Sequence, residues 1–158
     1  MLKYVDTAVT FAEFPNEISL CINISNCNCF CDGCHSPYLS KDIGETLSLE
    51  RLQELIESNK GITLVGFMGG DSDLKEVNRL AKWVRENYPE LHIGWYSGKQ
   101  ELADSVIDID NFDYLKLGPY MKQFGPLNNP NTNQKFYKID RNSHTMIWCT
   151  DIFWKEAE

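Results

Sequence analysis

Five of the six cysteines in this chain fall between Cys21 and Cys34, and Cys27, Cys29 and Cys31 alternate with single residues. No other feature restricts the fold so tightly. Such close neighbours are poor mutual disulfide partners. The N-terminal segment has no apolar run of signal-peptide length, so a reducing, cytoplasmic setting is expected, where structural disulfides are rare. Clustered thiols in that setting point to metal or redox chemistry. The segment just before them is a strand by pattern: Ile18, Leu20, Ile22 and Ile24 alternate with Ser19, Cys21, Asn23 and Ser25. The thiols are therefore expected at the carboxyl edge of a sheet, where ligands of α/β folds collect.

The rest of the chain supplies that sheet. Residues 4–14 are rich in β-prone side chains. Leu49, Leu52, Leu55 and Ile56 recur at helical spacing behind Ser48, a candidate N-cap. Ile62 to Phe67 is nearly all apolar, as a strand buried on both faces requires. Helix is expected again over about 74–88, with Asp73 and Glu76 at capping-box spacing. Further strands are expected at 91–96 and 113–117, with a short helix near 99–105. Lys135–Ile139 and Thr145–Cys149 read as a hairpin around Asp140–Ser143. Strand and helix in alternation imply βαβ units. With 158 residues, a closed eight-stranded α/β barrel of ~250 residues is out of reach. The expected fold is α/β: an incomplete, open βα barrel with a mostly parallel sheet and a C-terminal hairpin-like extension, in a single domain over 1–158.

Charge and hydropathy narrow the partners. Fifteen basic against 23 acidic residues give a net charge of −8, which argues against nucleic acid and anionic membrane surfaces. The longest largely apolar run, residues 62–70, is about half a membrane span.

Cys27, Cys31 and Cys34 stand as C-x3-C-x2-C. Three thiolates on one loop can hold three irons of a 4Fe–4S cluster and leave the fourth open to a ligand, whereas ferredoxins supply four cysteines at other spacings. A zinc site from Cys27, Cys29, Cys31 and Cys34 is the alternative, although structural zinc favours two separated pairs. C-x3-C-x2-C after an early strand resembles the radical S-adenosylmethionine superfamily, and Cys31-Asp32-Gly33-Cys34-His35 resembles its anaerobic ribonucleotide reductase activating proteins. That resemblance implies a cluster on Cys27, Cys31 and Cys34 whose open iron chelates the amino and carboxylate groups of S-adenosylmethionine. It implies reductive cleavage of that molecule to a 5′-deoxyadenosyl radical, which takes a hydrogen atom from a glycine of the reductase. It places the main chain of Gly33 and His35 against the adenine, where a glycine permits close approach.

Other segments extend the resemblance. Met68-Gly69-Gly70-Asp71 resembles the Gly-Gly-Glu segment that holds the amino group of S-adenosylmethionine, with Asp71 one methylene shorter than Glu. Asp71 as a helix cap is the plainer reading. Tyr96-Ser97-Gly98 resembles a Tyr-Thr/Ser-Gly segment, with Ser97 toward the ribose or methionine carboxylate or, equally, a helix cap. Leu117-Gly118-Pro119-Tyr120 and Thr132-Asn133-Gln134-Lys135 resemble Asp-Gly-Pro-Phe and Ser-Asn-Gln-Arg segments of the activating proteins, which nominates Asn133 as a cofactor contact.

No side chain is nominated as a general acid or base, because the cofactors carry the chemistry. Cys21 and Cys149 are expected to be small buried hydrophobes, and Cys29 has no assigned role. The partners implied are the glycyl radical subunit of an anaerobic ribonucleoside-triphosphate reductase and an unidentified low-potential electron donor. Two other functions stay open: a small-molecule radical enzyme resembling 7-carboxy-7-deazaguanine synthase, and a non-catalytic zinc or thiol interaction module.

Overall fold

The computed structural model describes residues 1–25, 43–119 and 121–155, with the backbone alone at 154 and 155. The alternating segment forms β2 (Ser19–Ile24), and the preceding extended stretch forms β1 (Lys3–Thr10) antiparallel to it. A two-residue strand, β3 (Glu45–Thr46), pairs with the start of β1. Helix α1 (Leu49–Ser58) begins at Ser48, whose side chain accepts a hydrogen bond from Arg51 N at 3.1 Å. The apolar run becomes β4 (Leu64–Met68), and α2 (Leu74–Asn87) leads to β5 (His92–Tyr96). A 3-10 turn at Ile109–Asn111 precedes β6 (Tyr114–Leu117). The chain then forms β7 (Lys135–Asp140), β8 (Thr145–Trp148) and the short α3 (Ile152–Lys155).

The expectation of an incomplete βα barrel with a mostly parallel sheet is overturned. The eight strands form one open sheet in the order β3-β1-β2-β4-β5-β6-β7-β8. Only β2/β4, β4/β5 and β5/β6 pair in parallel, and the other four adjacencies are antiparallel. The physical reason lies in the connections. A parallel neighbour needs a long crossover, usually helical, whereas an antiparallel one needs only a turn. Helices α1 and α2 lead into the central strands β4 and β5, whereas β1 and β2, and β7 and β8, are joined by turns and bends alone. β7 and β8 are not an appendage either, since β7 hydrogen-bonds directly to β6 and continues the sheet.

The short helix expected near 99–105 is also absent. That stretch is turns and bends, and Asn78 Oδ1 of α2 accepts from Asp108 N at 2.9 Å and Asn111 Nδ2 at 3.0 Å. These bonds pin the connection against α2 as an irregular segment.

One sheet face carries Leu20, Ile22, Ile24, Val65, Phe67, Ile93, Trp95 and Leu115 against Leu52 and Ile56 of α1 and Val77, Leu80, Ala81 and Val84 of α2. The opposite face carries a second core built on Phe14, Cys21, Leu64, Leu127, Phe136 and Phe153. Here the loop between β1 and β2 folds back over the sheet. Phe14 lies across Gly66 and Gly94, which face each other in register, and a Cβ on Gly66 would stand 2.7 Å from the Phe14 ring.

Candidate site at the carboxyl edge of the parallel strands

The four parallel strands end side by side, and the segment bearing Cys27, Cys31 and Cys34 begins just beyond Ile24, the last residue of β2. Those three cysteines, together with Gly33 and His35, lie outside the described residues. What the structure describes is the neighbouring edge, formed by the ends of β4, β5 and β6 and the approach to β7.

Gly69 and Gly70 turn the chain at the end of β4 with φ of 117° and 103°, in the left-handed region that favours glycine. Side chains are also excluded by packing, because a Cβ on Gly70 would stand 2.5 Å from Val77 Cγ2. The turn is bound to β5 on both sides: Gly69 N donates to the Tyr96 carbonyl at 3.1 Å, and Trp95 Nε1 donates to the Gly69 carbonyl at 2.8 Å. This turn aims Asp71 across to the end of β5. Ser97 Oγ donates to Asp71 Oδ1 at 2.6 Å, and Gly98 N donates to Asp71 Oδ2 at 2.8 Å. Asp71 is therefore not the cap of α2. Asp73 has that role, accepting from Glu76 N at 3.3 Å, while the Glu76 carboxylate turns to Arg79.

Ser97 is 1% exposed, and its hydroxyl also accepts from Lys99 N at 3.1 Å. Its main chain continues the network into β6. Ser97 N donates to the Lys116 carbonyl at 2.8 Å, and Lys116 Nζ donates back to the Ser97 carbonyl at 3.1 Å and to the Gly118 carbonyl at 3.0 Å. Gly118, with φ of 112°, lies against Asn133 and Gln134, and a Cβ there would stand 3.2 Å from Gln134 Cα. Asn133 Nδ2 donates to the Pro119 carbonyl at 3.0 Å, while its Oδ1 is buried with no hydrogen-bond partner among the described residues. A buried acceptor without a partner is uncommon enough to need an explanation. Exchanging the amide atoms would set oxygen against the Pro119 carbonyl, so the orientation stands.

Gly69, Gly70, Asp71, Ser97 and Asn133 thus lie along one edge, tied into a continuous network from β4 to β7. Sequence reasoning missed the residue at its centre. Lys116 is 7% exposed and its ammonium lies 5.2 Å from the centre of the Tyr96 ring. The available signal was a lysine set between Leu115 and Leu117 in an otherwise apolar strand, because lysine is seldom buried without compensating partners.

Below the edge the sheet face is closed by aromatic side chains. Phe14 meets Tyr96 edge-on at 5.0 Å between ring centres and lies 6.1 Å from Phe136, which meets Phe153 at 4.9 Å. Tyr96 OH donates to the Glu13 carbonyl. Burial, with a smaller contribution from Glu13, holds the Tyr96 hydroxyl well above its ordinary range. Burial, again with Glu13, pushes the Cys21 thiol up to about 12. Cys21 is therefore a neutral thiol, not a reactive thiolate. Burial raises Cys149 as well.

Fold and edge together define an open α/β sheet protein whose cysteine-rich segment follows the carboxyl end of a central parallel strand. A family model, the 4Fe–4S single cluster domain, matches residues 18–117. That span runs from the residue before β2 to the last residue of β6, and so takes in all four parallel strands. The chain belongs to this 4Fe–4S family, and the iron–sulfur cluster is the cofactor the match supports. No curated protein and no solved structure gives a significant match to the chain. Among the described residues no helix is long and apolar enough to cross a membrane.

Proposed function

We propose that this protein is a radical S-adenosylmethionine activase that generates a glycyl radical on an anaerobic ribonucleoside-triphosphate reductase, fed by a low-potential electron donor. The observation that carries the reading is the Asp71–Ser97–Lys116–Gly118 network at the carboxyl edge of the parallel strands, in a chain of the 4Fe–4S family whose three suitably spaced thiols follow β2 in sequence. The donor chemistry fits both groups. Cys27, Cys31 and Cys34 would hold three irons of one cluster. Asp71 presents a carboxylate, the charge that suits an ammonium. The buried Asn133 Oδ1 suits an amino or hydroxyl donor of a nucleoside. The cluster and S-adenosylmethionine together supply one-electron cleavage of a carbon–sulfur bond and the hydrogen-abstracting radical that results. The chain's own residues bind and orient. The Gly69–Gly70 turn aims Asp71, Ser97 fixes the Asp71 carboxylate, and Gly33 and His35 would lie against the adenine.

The filled aromatic face favours a macromolecular substrate over a small one. Phe14, Tyr96, Tyr114 and Phe136 occupy the side of the sheet opposite the helices, so a radical acceptor would reach the edge from outside. A loop of another protein can do this and exclude water by its own bulk.

Two measurements test the proposal. Anaerobic reconstitution with iron and sulfide should give 4Fe–4S absorbance that Cys31→Ser abolishes. An unchanged spectrum in that variant would remove the cluster assignment and revive the zinc or thiol module. Incubation with the candidate reductase, dithionite and S-adenosylmethionine should give a glycyl radical signal by electron paramagnetic resonance. Cleavage of S-adenosylmethionine without that signal would point to a small-molecule enzyme instead.

A further inference from the structure

A groove of about 700 Å³ opens between the connection that follows β5 and the start of β8. That volume lies in the range that bound ligands fill, ~300–1,000 Å³. Tyr114 pairs with Lys138 and Asp140 with Thr145, so the start of β8 stands beside the start of β6. The groove is therefore at the amino end of the parallel strands, opposite Asp71, Ser97 and Gly118. Its floor is apolar: Leu102, Ile107, Ile109 and Met146 line it and belong to the main core or pack against it. Its rim is acidic. Asp104 and Asp108 line it, and no lysine or arginine does. Asp108 Oδ1 accepts from Asp110 N at 3.0 Å, and neither Asp104 nor Asp108 forms an ion pair among the described residues. His144 Nδ1 bonds both oxygens of Asp110, at 2.9 and 2.7 Å, and so ties the hairpin wall to the 3-10 turn. An apolar floor open to water gains when an apolar side chain covers it. The carboxylates decide what kind of molecule brings that side chain. A second copy carries the same charge of −8 and is repelled, whereas a basic segment is drawn in. Thr145 and Met146 belong to the last strand of the sheet, so an extended segment seated there meets a strand edge. We propose that this groove docks an extended segment of a partner protein in which apolar anchors are flanked by lysine or arginine. The docking role goes beyond the activity proposed above and does not depend on it.

The probe is a synthetic peptide with a central run of leucines and a lysine pair at each end, titrated into the full chain and followed by fluorescence anisotropy. Binding should be saturable and should weaken as salt rises. A twin with glutamate for lysine, and another with serine for leucine, should each bind at least about tenfold more weakly, a loss of ~1.4 kcal/mol. Hydrogen exchange should show protection by the lysine peptide over 102–109 and 144–146. The double variant Asp104→Asn, Asp108→Asn keeps the acceptor for Asp110 N and should lose about threefold to thirtyfold in affinity, the range for two partly exposed ion pairs. The control pair Glu50→Gln, Glu90→Gln makes the same change in net charge away from the groove and should stay within about twofold. The peptide twins are compared on wild type, so the test stands even where a variant fails to fold. Absence of saturable binding, equal loss in the control pair, or protection of another segment overturns the proposal. Equal binding of the glutamate twin overturns the choice of a basic partner. A chain that sediments as a dimer, with 102–109 and 144–146 protected before peptide is added, gives the groove to a second copy and overturns it as well.

Discussion

Gly94→Ala is a one-methyl perturbation whose cost can be worked from the packing. Gly94 faces Gly66 in register, and the fully buried ring of Phe14 lies across both. A Cβ on Gly94 would stand 2.5 Å from Phe14 Cζ and 2.9 Å from Cδ1, inside the closest approach of real carbon atoms. The ring has little room to retreat, because Tyr96, Tyr114 and Phe136 surround it at 5.0, 6.2 and 6.1 Å between centres. Overpacking a filled core costs roughly 1–3 kcal/mol, and a contact this close on both ring atoms belongs at the upper end. For a chain of this size about 3 kcal/mol lowers Tm by roughly 6–12 °C. The shift is read by thermal or urea unfolding of the anaerobic protein, followed by tryptophan fluorescence, to which the buried Trp95, stacked on Phe112, contributes. Phe14→Ala alone should cost about 3–5 kcal/mol. The double variant should cost less than the sum by about 1–3 kcal/mol, since the new methyl then occupies vacated space. A Gly94→Ala protein as stable as wild type, or a strictly additive double variant, would refute the account of Phe14 as a tight plug.

Other outcomes follow from single contacts. Cys21 is raised from 9.0 to about 12 in the folded chain, so the unfolded state releases its proton first as pH rises. Its contribution to stability is therefore whole below pH 9.0 and is lost between there and about 12. Removing the thiol in Cys21→Ala should flatten the alkaline decline in stability by about 1.4 kcal/mol per pH unit in that window, measured by urea unfolding. Trp95→Phe leaves the Gly69 carbonyl without its indole donor and should destabilise by roughly 1–3 kcal/mol. The same variant should weaken S-adenosylmethionine binding by loosening the turn that aims Asp71, a loss read by calorimetry. Ser48→Ala removes the N-cap of α1 and should cost about 1 kcal/mol, with helix content retained by circular dichroism.

How far the sequence reached depends on the range of each interaction. The alternation in β2, the apolar run of β4 and the helical spacing of α1 and α2 are local patterns, and each forms an element where the pattern lies. The predicted helix near 99–105 failed because the stretch is held from outside: the Lys99 carbonyl accepts from Gly118 N, nearly twenty residues on, and Asn78 of α2 fixes the chain just beyond, at Asp108. The open βα barrel with a mostly parallel sheet failed for the same kind of reason, since pairing direction at the flanks depends on the path of the chain. The ambiguity at Asp71 was also beyond local reading. Asp71 and Asp73 are equally good caps by residue type, and only the turn at Gly69–Gly70 sends one to Ser97 and leaves the other to α2.

The sequence by itself determined the chemistry available: thiols at C-x3-C-x2-C spacing after a strand, a glycine turn followed by an acid, and an acidic chain. Residue type and near-neighbour spacing carry those properties. Tertiary structure alone decided that the sheet stays open and mixed, and that Phe14 fills the face opposite the helices. It also decided that Lys116 stands between Ser97 and Gly118 at the proposed site. Strand direction, burial and the placing of one charge beside another arise where distant segments meet, and no local pattern encodes them.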